Sequence, residues 1–317
     1  MNRFKRNGLL CMLVAVIFVV AVVEPVFAQQ STTGPIPPPG IDPGIRPVTR
    51  DQVIIPGVPA YLWHHGCGPT AVGMVVGYWD GVLFDLVPGD ASTQTAAVNA
   101  MIADDSGNPD CDAADGDHYQ DYSCPIDTLF FLQPDKSETE GAHASNCVAD
   151  FFKTSWSLLG SRYGSSWFTD ADSSWIDYVY WYCDIGLTKP AAMNKYFSEW
   201  SWDRYKFEID RGRPMVLLVD INGDGDTDHF VTAIGYNDAT MEYAIYNTWD
   251  TNIHWYKWRE IGEGISWGIY GITMFYWLRG EIPTLTEWGV IIFGVVLLGF
   301  ITWVFLRRRR APVVSLR

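Results

Sequence analysis

GCGPTAVGMVVGYW, residues 66–79, places a cysteine directly before a long apolar segment. Pro69 suits the first turn of a helix, and the residues after it are mostly apolar. The sequence therefore predicts a buried central helix that begins near Cys67. Gly73 and Gly77 recur four residues apart, which would let another element approach this helix closely, although both glycines weaken it.

Cys67 is a candidate nucleophile because a helix N-terminus and a neighbouring imidazolium both lower the pKa of a thiol from about 8.5. His229 opens the alternating stretch HFVTAIGY, which predicts a strand that would hold the imidazole on a rigid edge. The next predicted strand ends before Asn247, and either Asn247 or Asp250 would orient the imidazole. The order of these residues along the chain predicts a nucleophile, a base and an orienting group.

The character of the chain changes at Pro214. Before it we predict a polar, Asp-rich loop at 104–147 and further helical segments at 155–167 and 189–206. After it come five β-rich stretches separated by turn residues, at 215–219, 230–236, 242–246, 254–258 and 270–276. Helices first and an antiparallel sheet later predict an α+β fold over residues 51–280.

Three blocks of the sequence resemble the motifs of papain-like cysteine peptidases. They are GCGPTA at 66–71, DHFV at 228–231 with Gly235-Tyr236 after it, and NTW at 247–249. The resemblance extends to the bacteriocin-processing, double-glycine leader peptidase branch. It implies a papain-like fold, a peptide or protein substrate, and Cys67, His229 and Asn247 as nucleophile, general acid/base and orienter.

One position departs from the papain-like pattern. Such enzymes usually have a glutamine six residues before the cysteine to donate to the oxyanion, and this chain has Tyr61. The Cys67 backbone N–H is one candidate donor. The candidates for the second donor are Tyr61, Trp63, His64 and His65. Because a missing donor costs roughly 100- to 1,000-fold in rate, the departure favours weak activity.

An acidic stretch, DINGDGDTD at 220–228, lies directly before His229. Its oxygen-bearing side chains occupy every other position, as in the first half of a calcium loop: Asp220, Asn222, Asp224, Asp226 and Asp228. The twelfth position is Val231, where an EF-hand has a glutamate. Two interpretations stay open, a calcium site that fixes His229 and a solvated acidic hairpin tip. The predicted chemistry itself requires no cofactor.

The number of cysteines predicts that Cys67 is a free thiol and that the other exported cysteines form disulfides. Of the six cysteines, Cys11 lies within a predicted signal peptide. Four of the remaining five are predicted to form two disulfides, in one of three pairings: Cys111, Cys124, Cys147 and Cys183. Cys67 is then left as the thiol.

The two ends predict export. Residues 1–28 have a basic start, an apolar run and a small-residue site ending at Ala28, typical of a secretory signal peptide; a retained membrane helix is the alternative. Residues 29–50 are rich in Pro, Gly, Ser and Thr, which predicts an extended linker. Residues 288–306 carry no charge and suit a transmembrane helix, and the four arginines at 307–310 favour the cytoplasmic side.

The C-terminal part, residues 281–317 with IPTLTEWG at 282–289, resembles the IPTL-CTERM sorting signal of Gram-negative bacteria. The resemblance implies processing by an exosortase-type enzyme after signal peptidase has acted; a plain anchor is the alternative. Together the two ends predict a protein of the cell envelope or surface in a Gram-negative bacterium. The membrane would hold it through the C-terminal helix, with the main domain outside the cytoplasm.

Charge excludes one class of partner. Residues 29–280 hold 14 Lys and Arg against 34 Asp and Glu, a net charge of −20. Nucleic acid is excluded as a partner because phosphate binding requires basic surface. Three functions are left: a cysteine peptidase, a transglutaminase- or acyltransferase-like enzyme with the same triad, and a catalytically inactive surface binding module.

Overall fold

The computed structural model describes residues 30–46, 51–80, 82, 84–103, 146–156, 163–183, 188–279 and 295–298. The predicted signal peptide and most of the predicted span at 288–306 lie outside these residues. Within the described part of the chain, no helix combines the length and the apolar character that crossing a membrane requires.

The chain divides into two compact units. The first comprises residues 1–184 and 190–277, and it holds Cys67, His229 and Asn247. The second comprises residues 185–189 and 278–317, of which the described residues are 188–189, 278–279 and the helical turn at 295–298.

The described helices are α1 (Cys67–Asp80), α2 (Ala96–Ile102), α3 (Val148–Phe151), α4 (Ala171–Tyr182) and α5 (Trp202–Asp210). Short 3-10 turns precede α4 and α5, at Phe168–Asp170 and Phe197–Glu199. Helix α1 begins at Cys67, and all of its residues except Tyr78 and Asp80 are buried. The prediction of a buried central helix starting at the cysteine is confirmed.

The described strands are β1 (Gln52–Ile54), β2 (Ser155–Trp156), β3 (Tyr163–Ser165), β4 (Thr188–Tyr196), β5 (Met215–Asp220), β6 (His229–Asn237), β7 (Glu242–Tyr246), β8 (His254–Lys257) and β9 (Gly268–Arg279). β2 and β3 form a small antiparallel pair of their own. The other seven form one sheet in the order β4-β9-β5-β6-β7-β8, with β1 added on β6. This arrangement confirms the α+β class.

Strand β6 is the centre of the sheet. β5 pairs with its first half, from His229 to Ala233, and β1 pairs with its second half, from Gly235 to Asn237. β7 pairs along its other edge. Helix α1 packs against β6, where the Thr232 hydroxyl donates to the Ala71 carbonyl over 2.9 Å. The start of α1 therefore lies beside the start of β6.

One predicted helix is wrong and a second is wrong over its first half. The segment predicted as a helix at 155–167 contains β2 and β3. The segment predicted as a helix at 189–206 begins as strand β4, up to residue 196, and becomes helical only afterwards, in a 3-10 turn and the start of α5. β4 is an edge strand beside β9 and includes Pro190, which edge strands tolerate. Pairing with a strand more than 70 positions later overrides local helix propensity, and no local pattern carries that information.

Candidate active site

The structure brings Cys67 and His229 together at the junction of α1 and β6. Cys67 is the first residue of α1 and His229 the first of β6, and both are fully buried. The backbone N–H of Phe230 donates to Cys67 Sγ over 3.4 Å. The predicted nucleophile and base thus lie at the ends of two packed elements, which hold them rigidly.

The imidazole of His229 is fixed on two sides. Its Nε2 lies 2.6 Å from the backbone oxygen of Asn247, and its ring stacks on Trp249 with centroids 4.0 Å apart. Because a carbonyl oxygen only accepts, the neutral imidazole carries its proton on Nε2. Nδ1 therefore carries a lone pair, and this is the ring nitrogen that would accept the proton of the Cys67 thiol.

Asn247 orients His229 through its main chain, whereas the sequence pattern predicted a side-chain group. The Asn247 side-chain oxygen accepts from the backbone N–H groups of Trp249 and Asp250 over 3.0 and 3.3 Å, which is the local turn that asparagine favours. Asp250 accepts from His254 Nε2 over 2.9 Å. The alternative assignment of Asp250 as orienter is wrong for this structure, since its carboxylate is committed to another histidine.

Burial dominates the protonation of both groups. It raises the pKa of the Cys67 thiol, although hydrogen bonds from the Phe230 N–H and the Ser31 hydroxyl act in the opposite direction. Burial also lowers the pKa of His229 to about 4, against the effect of the Asn247 carbonyl. In this closed arrangement the pair is a neutral thiol and a neutral imidazole, because neither charge is solvated.

A segment that the sequence predicted as a linker enters this site. The Thr33 hydroxyl oxygen lies 2.5 Å from His229 Nδ1 and 3.8 Å from Cys67 Sγ. Ser31 and Thr33 are both buried. The prediction of an extended linker missed these contacts because Ser and Thr in a proline-rich stretch carry no pattern that identifies a partner almost 200 positions away.

Tyr61 is not an oxyanion donor in this structure. Its ring is fully buried, its hydroxyl donates to the Ala91 carbonyl, and it lies against Gly77 on α1. Gly77 is ten residues along the helix from Cys67, which corresponds to about 15 Å at 1.5 Å per residue. Glycine at 77 gives the tyrosine its space, since a Cβ there would meet the Tyr61 hydroxyl at 2.1 Å.

The other three predicted donors surround the turn before α1. The Trp63 N–H donates to the Thr248 carbonyl over 2.6 Å, His64 Nε2 lies 3.3 Å from the Ala103 carbonyl, and His65 has a φ of 54°. The contact of Trp63 ties this turn to the loop that orients His229. The Cys67 N–H, at the first residue of α1, stays a predicted donor.

The acidic loop brings carboxylates together at every fourth position. One oxygen from each of Asp220, Asp224 and Asp228 lies within 4.8 Å of the others. The other two predicted ligands are exposed: the Asn222 amide donates to Asp224 over 3.0 Å, and Asp226 is not in the cluster. Burial, with the neighbouring carboxylates Asp220 and Asp224, raises the pKa of Asp228 to about 6.

The described cysteines besides Cys67 are Cys147, which is buried at the start of α3, and Cys183, which follows α4. Both are thiols. A disulfide between these two, one of the predicted pairings, is therefore wrong for this structure. The other predicted disulfide residues, Cys111 and Cys124, lie outside the described residues.

Comparison with known proteins gives one family match. The model of the family described as Peptidase_C39 like family matches residues 55–273, a range that includes Cys67, His229 and Asn247. No curated protein matches the chain.

Two solved structures are similar to this chain at low identity. A putative C39-like peptidase from Bacillus anthracis is 13% identical with a TM-score of 0.39, over 73% of this chain and 99% of the other. The active wild-type interpain A cysteine protease of Prevotella intermedia is 14% identical with a TM-score of 0.37, over 71% of this chain and 94% of the other.

Proposed function

The chain belongs to the Peptidase_C39 like family, and we propose that it hydrolyses peptide bonds with Cys67 as nucleophile and His229 as general acid/base. The observation that supports this proposal is the orientation of one ring. His229 donates from Nε2 to the Asn247 carbonyl and so keeps the Nδ1 lone pair for the side of the site where Cys67 lies. A base must present this atom to a thiol.

In the proposed reaction, His229 Nδ1 takes the Cys67 proton and the thiolate attacks the substrate carbonyl. The Cys67 N–H, at the positive end of α1, donates to the oxyanion. The proton on Nδ1 passes to the leaving amine as the C–N bond breaks, which leaves a thioester on Cys67. Water then gives a proton to Nδ1 and attacks the thioester. The C–S bond breaks, the acid product leaves, and Nδ1 returns its proton to the sulfur of Cys67.

Two alternatives differ in the fate of the substrate acyl group. A transglutaminase- or acyltransferase-like enzyme would pass the acyl group from the thioester to an amine, and a surface binding module would form no thioester. Tyr61 in place of a glutamine, with its hydroxyl held by Ala91, favours slow chemistry. Peptide hydrolysis is the first choice because family membership and the Nδ1 orientation both agree with it.

The test is a peptide-cleavage assay with acid quench and mass spectrometry of the peptide containing Cys67. Wild type should accumulate an acyl adduct on Cys67 and release new peptide termini, and Cys67→Ala should do neither. Cys183→Ala is the matched control and should behave as wild type. Incorporation of an added amine without hydrolysis would indicate an acyltransferase. Peptide binding without any adduct on Cys67 would exclude both enzymes and indicate a binding module.

We propose that calcium binds the carboxylates of Asp220, Asp224 and Asp228. Millimolar calcium is expected to raise the melting temperature by a few degrees, roughly 2–4 °C per kcal/mol for a domain of this size, because the ion would neutralise three clustered carboxylates. Asp224→Asn should remove the shift, whereas Asp226→Asn in the same loop should keep it. Equal shifts in both variants, or no shift in wild type, would leave the solvated acidic tip as the correct interpretation.

We also propose the finer assignments that the sequence indicates. These are the bacteriocin-processing branch, export by a signal peptide at 1–28, and anchoring through an IPTL-CTERM segment at 281–317 that an exosortase-type enzyme processes. The basic, apolar and small-residue order at one end and the arginine-terminated apolar run at the other support them. Fractionation of a Gram-negative host that expresses the full chain would test both ends.

A further inference from the structure

We propose that residues 30–46, here called the N-terminal segment, are an intramolecular inhibitor that occupies the peptide-binding cleft of Cys67 and must leave before substrate binds. The proposal rests on the function proposed above and adds its regulation and the form of its substrate. Four sets of contacts support it: at the catalytic pair, along the cleft, on Trp249 and at the edge of the sheet.

At the catalytic pair, the Thr33 hydroxyl occupies the place of a reacting group. It has one proton and lies within reach of His229 Nδ1 at 2.5 Å, the Asp228 carbonyl at 3.1 Å and Cys67 Sγ at 3.8 Å. The shortest contact assigns that proton to Nδ1, which saturates the lone pair that the thiol would need. A substrate carbonyl cannot approach Cys67 while this side chain is present, because the sulfur is fully buried.

Along the cleft, the main chain of the N-terminal segment is held by hydrogen bonds to backbone carbonyl groups. Ser31 N–H donates to the Ser166 carbonyl over 3.0 Å, and the N–H groups of Thr32 and Thr33 donate to the Asp228 carbonyl over 2.8 and 3.2 Å. Ser166 N–H donates in return to the Ser31 hydroxyl over 3.1 Å. These partners belong to the residue after β3 and to the residue before His229.

This pairing indicates the form of the substrate. Carbonyl groups at Ser166 and Asp228 accept from backbone N–H groups, which every residue except proline carries, and so they do not select particular side chains. The space beside Cys67 is filled by serine and threonine, which limits the side chains next to the sulfur to small ones. We therefore expect peptides with small, hydroxyl-bearing side chains to compete with the N-terminal segment.

On Trp249, the segment makes a third contact. The indole N–H of Trp249 donates to the Gly34 carbonyl over 3.0 Å, and the same ring stacks on His229. Pro37, Pro38 and Pro43 line a cavity of about 200 Å³ together with Trp249, Tyr256 and Trp267. Proline-rich chain against aromatic rings is a recurrent mode of peptide recognition.

At the edge of the sheet, residues 42–45 act as a latch. The Tyr256 hydroxyl donates to the Asp42 carbonyl over 3.0 Å, the Trp255 N–H donates to the Gly44 carbonyl over 2.7 Å, and Ile45 bridges His254. β8 is the last strand of the sheet, so the latch covers its free edge. The latch begins nine residues after Thr33, which allows it to be disturbed without altering the catalytic pair.

Gly44→Ala is the variant that releases the latch. Gly44 has a φ of 62°, and a Cβ there would meet the Tyr256 ring at 2.4 Å; Tyr256 cannot move aside easily because it stacks on Trp267 at 3.9 Å. Gly40→Ala is the matched control, since Gly40 has a φ of 84° and no atom within 4 Å of the added Cβ. Both substitutions put an alanine at a positive φ and therefore strain the backbone, but only Gly44→Ala also makes a steric clash with Tyr256.

The experiment measures the rate at which iodoacetamide alkylates Cys67 in the full chain, by mass spectrometry of the peptide containing Cys67, with Cys183 as the internal reference. Gly44→Ala should increase the Cys67 rate roughly tenfold through a larger open population, and Gly40→Ala should stay within about twofold of wild type. A synthetic peptide of residues 30–46 should slow the alkylation of Gly44→Ala again.

Thr33→Val is the second variant, in case Gly44→Ala folds poorly, and exposed Thr93→Val is its control. Thr33→Val should accelerate alkylation and Thr93→Val should not. Wild-type Cys67 that reacts as fast as Cys183 would overturn the proposal, as would equal rates in all variants. Accelerated alkylation without hydrolysis would keep the inhibitor and reject the peptidase, whereas hydrolysis with equal rates would do the opposite.

Discussion

Peptide hydrolysis is expected to fall by about 1,000-fold or more when His229 is replaced by alanine. The thiol of Cys67 is buried and its pKa is raised, so without Nδ1 no group in the described site takes its proton. Cleavage should be measured in wild type and in the Gly44→Ala background, where the cleft is open, so that a low starting rate does not hide the loss.

His64→Ala is the control for this prediction. His64 also lies near the start of α1, but its Nε2 faces the Ala103 carbonyl, so its loss should change the rate by less than about tenfold, below the usual range for an acid–base group. Both variants should be checked for melting temperature, since His229 also stacks on Trp249. A His229→Ala enzyme that is folded and retains a tenth of the activity would exclude His229 as the base.

A loss of about 3 kcal/mol in the free energy of unfolding is expected for Gly235→Ala. A Cβ at this position would meet the Val53 carbonyl oxygen at 2.3 Å and the Ile54 side chain at 2.4 Å, where β1 pairs with β6. The first of these atoms is main chain, so it can move only if the strand pairing opens. The free energy of unfolding of a typical protein is about 5–15 kcal/mol, so the expected loss is a large fraction of the total stability.

Gly262→Ala is the matched substitution. Its added Cβ would meet only the Ile265 side chain, at the ordinary distance of 3.5 Å, and the free energy should change by less than about 0.5 kcal/mol. Urea unfolding of both variants gives the comparison. A Gly235→Ala protein as stable as wild type would show that β1 does not pair with β6 at this position in solution.

The sequence predicted the parts of the fold that local pattern determines. Helix α1 begins at the predicted cysteine, and the bounds of β7, Glu242–Tyr246, coincide with the prediction. An apolar run after Gly-Pro and a β-rich run between turn residues are strong local signals. β4 was predicted as helix because its strand partner, β9, is distant in sequence. The papain-like order of Cys67, His229 and Asn247 also identified residues that the structure brings together.

The details of the site depended on contacts that a sequence does not reveal. An asparagine at position 247 suggested that its side chain would orient His229. In the structure the Asn247 side chain stabilises the local turn, and the Asn247 backbone carbonyl binds the imidazole of His229. Tyr61 stands where papain-like enzymes have their oxyanion donor, yet its ring packs into the space that Gly77 leaves on α1. The role of residues 30–34 was missed, since small polar residues next to prolines are typical of linkers and nothing local indicates that they fill a cleft.

The contact between Thr33 and His229 joins residues 196 positions apart, and this separation has a consequence for biosynthesis. Residues 30–46 are synthesised early, but the strands they bind, β6 and β8, leave the ribosome last among the parts of the site. Contacts of such long range form late in folding. His229 and the bound N-terminal segment therefore reach Cys67 in the same late step of folding. A nascent chain that ends before residue 229 lacks His229 and the strands that bind the segment.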